Sequence, residues 1–91
     1  MKIVLNKCYG GFSLSADACK ALGLKSPYAM IARNDERLIA LMEEHGSAWV
    51  SGVSAKLVLV DVSDNCTDWE MDEYDGVERI TYVVDGKLHH A

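Results

Sequence analysis

The densest gathering of chemically useful side chains is the segment Asn6 to Ser15, NKCYGGFSLS. Lys7 supplies a cation and Cys8 a thiol. Gly10 and Gly11 supply backbone that a ligand can approach closely, Tyr9 and Phe12 supply flat rings, and Ser13 and Ser15 supply hydroxyls. These are the parts of an anion pocket, in which amide and hydroxyl donors converge on a negative group beside a cation. The two rings then offer faces for a base. The spacing is neither G-x-G-x-x-G nor G-x-x-x-x-G-K-[ST], so no dinucleotide or P-loop fingerprint and no cofactor motif is present. A second reading needs no ligand: the glycines serve a turn, the rings fill a small core and Ser15 caps a helix.

Further from the loop, Arg33 precedes the second helix and could reach an anion held there, or could pair with the acidic C-terminal third. Tyr28 and Trp69 are the other aromatics available to a flat ligand. Cys8 lies shortly before a helix start, where a thiol pKa can fall, but nucleophilic catalysis also requires a base. His45 belongs to the far end of the second helix, and His89 and His90 to the C-terminal strand, so no Cys/His pairing and no metal site is expected. The acidic run Asp61, Asp64, Asp68, Glu70, Asp72, Glu73 and Asp75 lacks the EF-hand register, and reads as a solvated hairpin face.

The elements that position these groups follow from periodicity and punctuation. KIVLNK (Lys2 to Lys7) has the adjacent apolar residues and length of a buried strand. Ser15 suits an N-cap, Leu14 and Cys19 a hydrophobic staple, and Gly23 a helix end. This predicts a two-turn helix from Ala16 to Leu22 that turns Ala18, Cys19 and Leu22 inward. Pro27 bars helix, and Tyr28 to Ala32 is extended or a loose turn. Asn34 is the expected cap of DERLIALMEEH, with apolar residues at 38, 41 and 42 and Gly46 beyond its end. SAWVSGVS is a connection, and AKLVLVDV (Ala55 to Val62) has the composition of a central strand. Asp75-Gly76 and Asp85-Gly86 then punctuate two hairpins, each pair being the choice a type I′ turn requires. The expected fold is α+β: an N-terminal strand, two helices, then a mostly antiparallel sheet of three or four strands.

Ninety-one residues make a single domain spanning 1–91, because a chain this size buries only roughly 60% of its unfolded surface. Apolar runs such as Leu57 to Val60 fall far short of the roughly 20 residues that span a bilayer, and no apolar leader precedes the first strand. With three cysteines and no C-x-x-C spacing, reduced thiols and a cytoplasmic setting are expected. Net charge is −5, but residues 1 to 60 carry +2 and residues 61 to 91 carry −7. No cluster of Lys and Arg is present to neutralise duplex phosphates. Trp69 and Met71 share one face of their strand, and so small a core leaves some apolar surface for a second copy, most simply in a symmetric dimer.

KCYGGFSLS, RNDERLI, LVLVDV and WEMDEYDG, in this order, resemble a group of small proteins found in bacteriophage and prophage genomes. The resemblance spans nearly the whole chain. It implies an accessory role in the cytoplasm of an infected host, including sequestration of a host nucleotide signal in the manner of small oligomeric sponge proteins. The function expected is therefore non-enzymatic binding of a small phosphorylated or nucleotide-like ligand by Lys7 to Phe12, Ser13, Ser15, Tyr28, Arg33 and Trp69. The alternative from another class is an acidic interaction protein that blocks a host protein. A nucleotide hydrolase is the third choice.

Overall fold

The computed structural model describes residues 1–91. Strand β1 (Lys2–Asn6) is followed by helices α1 (Ala16–Leu22), α2 (Glu36–His45) and α3 (Ser47–Val50). Strands β2 (Leu57–Asp61), β3 (Cys66–Tyr74), β4 (Val77–Val84) and β5 (Lys87–His90) complete the α+β fold. β1 pairs antiparallel with β2 alone, and β3, β4 and β5 form a second antiparallel sheet in that order. No helix is long and apolar enough to cross a membrane.

The β1–β2 ribbon is covered on both faces, which is why β1 reads as a continuous apolar run and not as an alternating one. Val4 and Leu57 turn toward the helices, where they join Leu14, Ala18, Leu22, Leu38, Met42 and Val50 in the larger core. Ile3 and Leu5 turn the other way and meet Val62 and Ile80 in a smaller core beneath the three-stranded sheet. The chain is thus three layers: helices, a two-stranded ribbon, and a hairpin sheet. AKLVLVDV is accordingly not a central strand in the sheet sense: β2 has one strand partner, and its burial comes from the layers above and below it.

The first helix forms where its signals place it. Ser15 Oγ accepts from the Ala18 amide at 3.0 Å, and Gly23 ends the helix in the left-handed region at φ 71°. Ala18, Cys19 and Leu22 are the residues it buries. In α2 the cap is Asp35 and not Asn34. Its Oδ1 accepts from the amides of Arg37 at 2.9 Å and Leu38 at 3.3 Å, a pair of donors that a side chain one residue earlier would not meet. The segment after Gly46 is also more than a connection: Gly46 at φ 86° redirects the chain into the one-turn helix α3. His45 stacks on Trp49 across that bend, ring centroids 3.9 Å apart. Tyr28 to Ala32 is irregular backbone.

Both D-G pairs adopt positive φ at both residues, 51° and 90° at Asp75-Gly76 and 51° and 75° at Asp85-Gly86, as type I′ turns require. They fix the register Tyr74↔Val77 and Val84↔Lys87. Trp69, Met71, Ile80 and Tyr82 therefore share the face toward β1–β2, while Asp68, Glu70, Asp72, Arg79 and Thr81 share the outer face. Asp68 follows a bulge at the start of β3.

The Asp35 cap has a pH signature. The hydrogen bond from the Arg37 side chain, helped by the Arg37 and Leu38 amides, holds the Asp35 carboxyl below the usual carboxylate range. A lowered folded-state pKa contributes stability that is present above the unfolded pKa of about 4 and is lost as pH falls through the folded value. Asp35→Asn keeps a capping oxygen but not the charge. Denaturant titrations should show the wild type losing its advantage over this variant on acidification below about pH 4. A stability difference that stays constant from neutral pH to that range would refute the charged cap.

Candidate functional site

The loop after β1 is held from three directions. Asn6 is fully buried and all its side-chain hydrogen-bonding groups are used. Its Nδ2 donates to the carbonyls of Cys8 and Gly76, both at 2.7 Å, and its Oδ1 accepts from the Lys56 amide at 2.9 Å. One side chain thereby fastens the loop to the tip of the β3–β4 hairpin and to the segment before β2. The two glycines have separate reasons. A Cβ on Gly10 would land on the Ser54 backbone, whereas Gly11 stands in open space at φ 86°. The hairpin turn packs so closely that a Cβ on Gly76 would lie 2.7 Å from both Gly11 Cα and the Tyr9 carbonyl oxygen.

The cations near the loop are engaged by the same hairpin. Lys7 Nζ donates to the Glu78 carbonyl at 2.6 Å. Arg33 reaches Glu78 with a forked contact, Nη2 to Oε2 at 2.6 Å and Nε to Oε1 at 3.3 Å. It also donates from Nη1 to the Ile31 carbonyl. Its guanidinium lies over the Phe12 ring, 3.6 Å from the centroid, in cation–π geometry. Glu78 is 4% exposed and accepts a third bond, from the Asn6 amide at 2.9 Å. Lys7, Phe12 and Arg33 therefore meet around one residue of the chain itself: Lys7 on the Glu78 backbone carbonyl, Arg33 on its carboxylate and Phe12 beneath the guanidinium.

The remaining expected residues divide between separate places. Ser13, Ser15 and Tyr28 line a cavity of about 400 Å³ with Pro27, Ser51 and Gly52. Ser13 is buried there, its carbonyl accepting from the Gly52 amide, and no charged side chain lines the cavity. Cys8 is half-buried and reduced; its carbonyl accepts from the Gly11 amide. Trp69 packs against the smaller core and edges a shallow outer groove with Asp68, Glu70 and Leu88. Tyr9 alone opens toward a cleft of about 320 Å³, shared with Tyr74, Val77 and Arg79.

In that cleft Tyr9 and Tyr74 are each 77% exposed. Arg79 is held on one side only, Nε to Asp72 Oδ1 at 3.3 Å, which leaves its two terminal nitrogens without a partner in the chain. Tyr74, Val77 and Arg79 escape a reading of the N-terminal motif because they come from the far side of the D-G turn. The alternation of β4 carries the signal, since it places Val77 and Arg79 on the face opposite Glu78. Asn6 and Glu78 were equally hidden, one inside a strand and the other inside an acidic run. Comparison with protein-family models, curated proteins and solved structures finds no match.

The tie around Glu78 has a measurable weight. Removing one partner leaves a buried charge without its counterpart, so Glu78→Ala should cost about 3–5 kcal/mol in urea unfolding. The double change Arg33→Met with Glu78→Leu should recover most of that loss, because well-packed apolar side chains replace buried ion pairs at little cost. A single-variant cost below about 1 kcal/mol, the range of a surface pair, would show that the pair does not hold the layers together.

Proposed function

We propose that the chain is a non-enzymatic binding protein for a small phosphorylated or nucleotide-like ligand, seated in the cleft between the glycine loop and the β3–β4 hairpin. One observation carries the reading: two broadly exposed tyrosines flank an arginine whose terminal nitrogens are free. Aromatic faces take up a base by stacking, worth about 1–3 kcal/mol per base, and a guanidinium pairs with phosphate in a fork. The cavity of Ser13, Ser15 and Tyr28 is larger but lacks a cation in its lining, which suits an anionic ligand less well. Lys7, Gly10, Gly11, Phe12 and Arg33 serve this site by fixing the loop that presents Tyr9. A phage origin, a cytoplasmic setting and sequestration of a host nucleotide signal belong to the same proposal.

A second reading has its own observation. Asp68, Glu70 and Asp72 stand exposed on the outer face of β3, a row of negative charge suited to blocking a basic surface of a host protein. The two readings respond oppositely to charge removal. Asp68→Asn with Asp72→Asn and Asp75→Asn should abolish protein capture and leave nucleotide binding intact or stronger, since Asp72 no longer competes for Arg79.

The test is a thermal shift with cyclic and linear nucleotides. At 100 times its dissociation constant a true ligand adds about 2.7 kcal/mol of stability. Arg79→Ala should weaken binding by about 10- to 150-fold, the equivalent of about 1.5–3 kcal/mol. Tyr74→Ala should also weaken it, and Tyr28→Ala should not. If no nucleotide raises the melting temperature, or if the shift survives Arg79→Ala unchanged, the cleft is not the site.

A further inference from the structure

The three-stranded sheet ends in two edges of opposite character. β3 carries Asp68, Glu70, Asp72 and Glu73 along one edge, and β5 carries Lys87, His89 and His90 along the other, with all four β5 residues exposed. The backbone is available on both. Ile80 and Ala91 exchange both of their amide bonds, and antiparallel ladders alternate between bonded and non-bonded pairs. Along β5 this alternation turns the amide and carbonyl groups of Leu88 and His90 away from β4. The Asp75-Gly76 turn sets the same alternation along β3, so those of Trp69, Met71 and Glu73 also face outward. An edge with open hydrogen-bonding groups is a template for another strand.

We propose that the chain associates with further copies of itself head to tail, β5 of one copy adding to the β3 edge of the next. Charge decides against the two-fold arrangements. Setting β3 against β3 opposes two rows of carboxylates, and like charges across a strand pair are destabilising. Setting β5 against β5 satisfies two short basic edges but leaves both acidic edges unmatched. Pairing β3 with β5 brings the Lys87 ammonium and the polar rings of the two histidines to the carboxylate edge and uses the outward amides and carbonyls of both strands. Such a contact is heterologous: every copy retains one acidic and one basic edge, so the assembly closes as a ring or grows as a chain and does not stop at two. The bulge at the start of β3 limits the pairing edge to Asp68–Tyr74, and β5 offers only four residues, so each contact is weak.

Sedimentation of the full chain from micromolar to millimolar concentration tests this. The wild type should grow beyond two copies as concentration rises, and less so at high salt, which screens the paired charges. Lys87→Glu with His90→Glu makes both edges acidic, and Asp68→Lys with Glu70→Lys makes the first half of the β3 pairing edge basic. All four positions are exposed, so circular dichroism should show each variant folded, yet each alone should require roughly tenfold higher concentration to associate. Mixing the two variants should restore association, because each then meets an edge of opposite sign. A wild type that stays monomeric, a complex that saturates at two copies, undiminished association of the Lys87→Glu/His90→Glu variant, or failure of the mixture to recover would overturn the proposal.

Discussion

The carboxylate of Glu78 is the constraint on which the layered arrangement turns. It is the one nearly inaccessible charge in the chain, and it receives donors from Arg33, which enters α2, and from the Asn6 amide at the end of β1. The helical layer, the ribbon and the hairpin sheet meet at this group. A buried ion pair is weak evidence of net stability, because desolvation offsets much of its attraction. Its stronger effect is on register. Side chains alternate along β4, so a slip of one residue would carry Glu78 to solvent, bring Arg79 inward and leave Arg33 without a partner. The hairpin is therefore specified in its seating even where its contacts with the ribbon are few.

The special residues of the opening loop are explained to a large extent by that seating. Gly10 allows Ser54 to approach, Gly76 allows the hairpin turn to lie on Gly11, and Phe12 forms the floor beneath the Arg33 guanidinium. What the tie leaves free is the rim: Tyr9 from the loop, Tyr74 and Arg79 from the hairpin. The proposed binding and the architecture thus share a segment but divide its side chains. The inward ones fasten the layers, and the outward ones face the cleft.

How much of this the sequence discloses depends on the range of the interactions. Ser15, Gly23 and the two D-G pairs announce themselves because capping and turn chemistry are local, decided within about four residues. Asp35 competes with Asn34 for one cap, and the choice rests on which side chain meets two amides at once. The one-turn helix at Ser47–Val50 is too short for periodicity to register. The split into two sheets was hidden because AKLVLVDV has the same apolar composition whether its covering comes from neighbouring strands or from layers above and below. The partnership of Arg33 with Glu78 spans 45 positions and leaves no pattern in either neighbourhood; it was legible only as the general alternative of a salt bridge to the acidic third.

The pairing of β1 with β2 also orders events during folding. Lys2 meets Asp61 and Asn6 meets Leu57, so the ribbon closes a loop of fifty residues, 7 to 56, that contains all three helices. The hairpins beyond it close through two-residue turns. Loop closure costs conformational entropy that increases with the logarithm of length, and distant pairings form slowly. On a chain emerging from the ribosome, β1 has no strand partner until residues 57 to 61 have been made. The two-sided burial that makes β1 legible as a strand thus depends on the most distant strand pairing in the fold.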